Sequence, residues 1–122
     1  MKKPTYSTID LQKIKEDTLG DTSVLKMIIE LFVEGIGEFV GVLNEELKNK
    51  NWKELFQATH KIKPNISMFG IAELETTILQ LESNFRNEQN LDTVDGLVDS
   101  CLTILEQVKV ELQIELKLMN NE

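Results

Sequence analysis

The most restrictive feature of the sequence is the spacing of its apolar residues, which recur every three or four positions through most of the chain. The clearest run consists of Ile71, Leu74, Ile78, Leu81 and Phe85. This spacing places the side chains on one face of an α-helix, because a helix turns once every ~3.6 residues. No segment alternates apolar and polar residues between turn signals, as a half-buried strand does. The sequence therefore predicts an all-α fold.

A short helix and a long helix are predicted in the first half of the chain. Ser7 and Thr8 are candidate N-caps of the short helix, and Gly20 ends it. Asp21 is the candidate N-cap of the long helix, whose apolar positions continue to about Asn49. Glycine in a helix interior costs up to ~1 kcal/mol relative to alanine. We expect one continuous helix, whose weak points are Gly35, Gly37 and Gly41.

Three more helices complete the prediction. The third opens at a capping box of Asn51 and Glu54 and ends at Gly70, because glycine adopts the left-handed conformation of a helix C-terminus. The fourth carries the apolar run described above, and the fifth extends from Leu91 or Asp92 to Leu118. Short connections between long helices make neighbours antiparallel. We predict an antiparallel up-and-down four-helix bundle with a short additional N-terminal helix.

Length and charge narrow the possible functions further. A chain of 122 residues fits one domain, which we place at 10–118, with a lead at 1–9 and a tail at 119–122. The net charge of −8 disfavours nucleic-acid binding, because such a field repels a phosphate backbone. No apolar run approaches the ~18 residues of a membrane helix, and no signal-peptide core follows Met1. We expect a cytoplasmic monomer without membrane contact.

The chain has one cysteine and one histidine, which limits its chemistry. Cys101 lies in the apolar stripe of the fifth helix and is predicted to be a core residue. The ligand pairs of a zinc site are missing, so neither a metal nor another cofactor is expected. No pair of carboxylates and no Ser/His/Asp set indicates a hydrolase.

His60 is predicted to point away from the core. At about 100° per residue, His60 lies about 140° from the apolar stripe of the third helix, which is formed by Leu55, Thr59, Ile62, Ile66 and Phe69. Only Glu54 is acidic among its neighbours, whereas five are basic and favour an anion: Lys48, Lys50, Lys53, Lys61 and Lys63. The alternative to an anion-binding site is a surface histidine without a function, on a helix face that is simply solvated.

Pro64 is an unfavourable residue inside the third predicted helix. It follows His60 by four positions, lacks the N–H that would bond to the His60 carbonyl, and costs about 3 kcal/mol in a helix interior. Such a residue indicates a site that is shaped for something other than stability. It is equally compatible with the end of the regular part of the helix.

The segment from Ala58 to Leu74 resembles the phosphorylation-site helix of histidine-containing phosphotransfer (HPt) domains. Those domains carry a histidine, an apolar residue two positions on, a lysine three on, a glycine ten on and then a leucine, which correspond to His60, Ile62, Lys63, Gly70 and Leu74. Segments at 31–34 and 51–55 are also similar, so the resemblance spans about residues 10–110. Many members have glycine at the position of Pro64 and serine or alanine at that of Asn65.

The resemblance implies that His60 accepts a phosphoryl group and that Lys63 stabilises it. The donor would be the phospho-aspartate of a receiver domain that binds its own magnesium, and the acceptor would be the aspartate of a second receiver. The chain would then be a carrier without kinase activity, and it has no GxxxxGK[ST] nucleotide loop. The expected partners are receiver domains of hybrid histidine kinases and response regulators.

The surface expected beneath a receiver consists of Lys53, Phe56, Gln57, Lys61, Pro64 and Ser67. The alternative function is that of a non-phosphorylated helical adaptor, which uses its bundle surface to bind a protein partner.

Overall fold

The computed structural model describes residues 5–121, which form five α-helices and one 3₁₀ turn and contain no β-strand. The helices are α1 (Gln12–Asp17), α2 (Thr22–Asn49), α3 (Trp52–Met68), α4 (Ala72–Asn87) and α5 (Val94–Asn120), and the 3₁₀ turn is Leu91–Thr93. α2 packs against α3, α3 against α4, α4 against α5, and α5 against α2, which closes the bundle. The predicted all-α bundle with an additional N-terminal helix is confirmed.

Two side chains cap α2 and α3 at the predicted positions, but only half of the predicted capping box forms, because the Asn51 N–H donates to a carbonyl of α2 and not to the Glu54 side chain. The Asp21 carboxylate accepts hydrogen bonds from the backbone N–H groups of Ser23 and Val24 at 3.1 and 3.2 Å. The Asn51 side chain accepts one from the N–H of Glu54 at 3.4 Å. Such caps satisfy N–H groups that have no partner within the helix. Between these caps α2 is one continuous helix, despite its glycines.

The beginning of α1 differs from the prediction. α1 starts at Gln12, whose backbone N–H donates a 3.0 Å hydrogen bond to the carboxylate of Asp10. The hydroxyls of Ser7 and Thr8, which were predicted as N-caps, each donate a 2.8 Å hydrogen bond to the carboxylate of Glu111 on α5 instead. Asp10 therefore supplies the local cap of α1, and the two predicted capping residues bind a strong acceptor on a distant helix.

The N-terminal segment, residues 5–11, packs where the bundle is incomplete. α2 and α5 contain 28 and 27 residues, but α3 and α4 contain only 17 and 16. The N-terminal segment contacts both α5 and the α3–α4 turn, where the N–H of Asp10 donates to the Phe69 carbonyl at 2.9 Å. Gly70 in that turn has φ +61°, and a Cβ there would lie 2.8 Å from Asp10 Cβ. Both facts require glycine at position 70.

The core contains the residues that the helical periodicity selects. Cys101 is fully buried, as predicted, and burial raises the pKa of its thiol to about 12. The rings of Phe32 and Phe69 stack with centroids 4.3 Å apart. The predicted apolar run of the fourth helix is buried throughout: Ile71, Leu74, Ile78, Leu81 and Phe85.

No helix in residues 5–121 is both long and apolar enough to cross a membrane.

Candidate functional site

His60 lies near the middle of α3, on the side opposite the core. Its side chain is 61 % exposed, so the outward orientation predicted from helical geometry is confirmed. The opposite face of α3 is buried against α2 and α4 and consists of Leu55, Thr59, Ile62 and Ile66. The helix therefore presents the imidazole to solvent on a rigid support.

A buried carboxylate on α4 holds this imidazole. Nδ1 of His60 lies 2.7 Å from Oε2 of Glu82, and Glu82 is only 5 % exposed. The second carboxylate oxygen, Oε1, accepts a 3.0 Å hydrogen bond from Nζ of Lys63. The same oxygen lies 3.8 Å from Nη2 of Arg86. One carboxylate thus contacts the imidazole and two cations.

The contact with Glu82 decides which nitrogen of His60 is available for reaction. A carboxylate accepts hydrogen bonds, so Nδ1 carries a proton and donates it to Oε2. In the neutral imidazole the nitrogen without a proton is then Nε2, whose lone pair is nucleophilic. In this exposed ring Nε2 is therefore the nitrogen with a free lone pair.

Glu82 is ionised in this position. Burial alone raises the pKa of its carboxyl group, but hydrogen bonds from His60 and Lys63, together with the positive charge of Lys63, lower it more. The net result is a pKa below the usual range. At neutral pH a carboxylate, and not a carboxylic acid, therefore faces the imidazole.

An aromatic ring and an arginine lie on the N-terminal side of His60. Phe56, one helical turn earlier, stacks on the imidazole with ring centroids 5.8 Å apart. The guanidinium carbon of Arg86 lies 5.1 Å from the Phe56 centroid. His60, Glu82, Arg86 and Phe56 therefore form a closed circle of contacts. Lys63 lies on the other side of His60, one turn further along α3.

The other residues predicted for the site lie on different sides of α3. Lys53, Pro64 and Ser67 are exposed on the surface of the helix. Gln57 and Lys61 line a groove of about 240 Å³ between α2 and α3, whose wall also includes Phe39, Val42 and Ala58. Pro64 lies within α3, and the helix continues past it to Met68.

The predicted basic surface around His60 is more balanced in charge than the sequence indicated. The ammonium group of Lys61 lies 3.6 Å from the carboxylate of Glu38 on α2, and that of Lys48 lies 3.5 Å from Glu45. Lys63 is bound to Glu82. Glu54 is therefore not the only acidic neighbour. Within residues 5–121 no group of three or more His, Cys, Asp or Glu side chains is arranged to hold a metal ion.

Glu82 and Arg86 are the site residues that sequence reasoning missed. Both lie on α4, and their contact with His60 depends on how α3 and α4 align, which the periodicity of each helix does not reveal. One signal was available: Glu82 directly follows the core residue Leu81, and Arg86 follows Glu82 by one helical turn. A charged pair at the edge of a core stripe indicates a partner on the neighbouring helix.

The fold and the site together define a helical bundle that presents one exposed and oriented histidine. The family model of the Hpt domain matches residues 27–119, which is most of the chain and includes His60 and Glu82. The chain belongs to the Hpt domain family. It is thus a histidine phosphotransfer module of the phosphorelay type, a class that carries phosphoryl groups and interacts with receiver domains. No curated protein and no solved structure is significantly similar to it.

Proposed function

We propose that this chain is a phosphocarrier in a multistep two-component phosphorelay, and that His60 is its phosphorylated residue. The observation that carries the proposal is the 2.7 Å contact between Nδ1 of His60 and Glu82, which leaves Nε2 of an exposed ring as the nucleophile. The phosphoryl group comes from the phospho-aspartate of one receiver domain. It leaves to the aspartate of another response regulator.

In the proposed reaction the lone pair of Nε2 attacks the phosphorus atom. A P–N bond forms while the P–O bond to the receiver breaks, and the receiver's aspartate leaves as a carboxylate. The imidazole ring gains positive charge and keeps the proton on Nδ1, where Glu82 stabilises it. No proton has to leave Nε2, so the chain needs no separate base. The reverse sequence returns the group to a receiver.

Positive charge at the site supports the proposed transfer. The transition state of phosphoryl transfer is loose, and its negative charge is spread over three equatorial oxygens. Lys63, one turn from His60, is the proposed phosphoryl-stabilising residue, because its positive charge acts on the phosphoryl group while its hydrogen bond to Glu82 stays in place. Magnesium is proposed to bind the receiver domain, and this chain is proposed to carry no cofactor of its own.

The proposed partners are receiver domains of hybrid histidine kinases and response regulators. We place them over the exposed surface of α3, on Lys53, Phe56, Gln57, Lys61, Pro64 and Ser67. The groove beside Gln57 and Lys61 offers apolar surface next to charged residues, which is the composition of a small and transient interface. The chain is proposed to act as a cytoplasmic monomer.

The test is the transfer of radiolabelled phosphate from a phosphorylated receiver domain to this chain. The wild type is expected to gain an acid-labile, base-stable label, and His60→Gln is expected to gain none at an unchanged melting temperature. Because the chain contains a single histidine, such a label on His60→Gln would refute the assignment. A wild type that binds receivers without taking up label would instead indicate the adaptor function.

A further inference from the structure

The two cations that share Glu82 are held very differently. Lys63 donates a 3.0 Å hydrogen bond to Oε1, and its side chain is 38 % exposed. Nη2 of Arg86 lies 3.8 Å from the same oxygen, which is beyond hydrogen-bond distance, and its side chain is 56 % exposed. Lys63 is therefore hydrogen-bonded to the carboxylate, whereas Arg86 makes only a longer ionic contact with it.

Arg86 is the only arginine in the chain, and it shares the carboxylate of Glu82 with the only histidine. Its guanidinium carbon lies over the ring of Phe56, which itself stacks on His60. Such a contact with an aromatic ring does not use the N–H donors of a guanidinium in hydrogen bonds to acceptor oxygens. Within residues 5–121 these donors make no hydrogen bond to another side chain. The guanidinium group thus shares two neighbours, Glu82 and Phe56, with the imidazole and has unused donors.

The charge of the site changes when His60 carries a phosphoryl group. Before transfer, the negative charge of Glu82 faces the positive charges of Lys63 and Arg86. Transfer adds a phosphoryl group of about two negative charges beside the ring. A guanidinium binds such an anion through two parallel N–H bonds, which an ammonium group does not offer. The loosely held arginine can bind the new anion without breaking the hydrogen bond between Lys63 and Glu82.

We propose that Arg86 binds the phosphoryl oxygens of phosphorylated His60, while Lys63 stays on Glu82 and preserves the Nδ1 contact. This inference rests on the proposed phosphocarrier function. Arg86 exchanges its loose contact with Glu82 for the phosphoryl group and stays near Phe56. It thereby makes the phosphorylated form of the chain more stable relative to the phosphorylated receiver.

The first test measures the phosphotransfer equilibrium between a receiver domain and the full chain. Arg86→Gln is expected to shift this equilibrium about tenfold towards the phosphorylated receiver. A tenfold shift corresponds to the loss of about one charge-assisted hydrogen bond. Arg86→Lys is expected to recover only part of the loss, because an ammonium group cannot bind two oxygens in the same plane. Lys117→Gln removes one positive charge from the exposed surface of α5 and is expected to leave the equilibrium unchanged.

The second test follows the arginine itself by NMR. A ¹H–¹⁵N spectrum of the chain contains one arginine Nε–Hε signal. Phosphorylation, confirmed by ³¹P NMR, is expected to shift this signal and to slow its exchange with water. An unmoved signal together with an equilibrium that stays within twofold in Arg86→Gln would overturn the inference and leave the phosphocarrier function standing.

A third measurement distinguishes phosphoryl binding from a structural role. In unphosphorylated Arg86→Gln, the ring ¹⁵N shifts of His60 are expected to show the proton still on Nδ1. A change of tautomer would show that Arg86 acts by holding Glu82, which contradicts the proposal. If the wild type takes up no phosphoryl group at His60, the phosphocarrier function fails, and this inference fails with it.

Discussion

Two buried glutamates connect separate parts of the bundle, and they differ in the groups that they bind. Glu82 and Glu111 are 5 % and 3 % exposed. Glu82 contacts an imidazole, an ammonium and a guanidinium group. Glu111 accepts four hydrogen bonds of 2.8–3.0 Å from neutral donors: the Ser7 hydroxyl, the Thr8 hydroxyl and N–H, and the Gln107 amide.

The difference separates a structural carboxylate from one that the proposed phosphotransfer uses. Burial alone raises the pKa of Glu111, but its hydrogen bonds lower it more, to about 2. All of its donors are neutral and none changes its charge near neutral pH, so the N-terminal segment stays attached to α5. The partners of Glu82 carry or can acquire charge and are partly exposed. These partners can therefore change their contacts when a phosphoryl group is added to His60.

The largest predicted effect is loss of stability in Glu111→Ala. The variant leaves the donors of Ser7, Thr8 and Gln107 without their acceptor, and we expect it to lower the free energy of unfolding by about 3 kcal/mol. Phosphoryl uptake below the melting temperature should be unchanged. Urea denaturation measures the loss, with Glu106→Ala on the exposed side of α5 as the control. A loss below about 1 kcal/mol would contradict the structural role of Glu111.

Acid should weaken the same contact in the wild type. The pKa of Glu111 is lower in the folded than in the unfolded chain, so its contribution is complete above the unfolded pKa and is lost as pH falls towards the folded pKa of about 2. Between about pH 5 and pH 3 we expect a loss of about 2 kcal/mol from this group. Denaturation curves across this range, compared with Glu111→Gln, isolate the effect, and equal slopes for the two proteins would contradict it.

For the second glutamate we predict a change in rate. Glu82→Ala removes the acceptor that keeps the proton of His60 on Nδ1, and partners that orient a histidine are typically worth about 10–100-fold. We expect phosphoryl uptake to slow about tenfold, equivalent to ~1.4 kcal/mol. Glu82→Gln retains an oxygen that can accept from Nδ1 and should restore most of the rate. Quench-flow transfer assays measure both variants, and equal rates for Glu82→Ala and wild type would show that the carboxylate is only structural.

The smallest predicted effect concerns Tyr6, which donates a 2.8 Å hydrogen bond to Glu115. Burial raises the pKa of the Tyr6 hydroxyl, and this hydrogen bond raises it further, so the hydroxyl remains a donor. Tyr6→Phe should cost about 1 kcal/mol of folding free energy, because Lys15 still lies 3.7 Å from Glu115. Thermal unfolding measures the change, and a more stable variant would contradict the prediction.

Local pattern explains which features the sequence could predict. The four long helices, the cap positions Asp21 and Asn51, and the outward direction of His60 depend on residues within a few turns of one another, and all were predicted correctly. The contacts of Glu82 and Glu111 depend on how distant segments align. Ser7 and Thr8 show why such contacts cannot be predicted from local sequence. Their residue types favour helix capping, but in the folded chain their hydroxyls bind the carboxylate of Glu111 on α5.

Residues 5–26 lie outside the part of the chain that the Hpt family model matches, yet Ile9, Leu11 and Ile14 are buried with the rest of the core. A fragment cut at the family boundary would lose these side chains and leave Glu111 without its N-terminal donors. Anyone transplanting this module into another signalling protein should therefore keep the N-terminal residues from Tyr6 onward and attach the fusion before them.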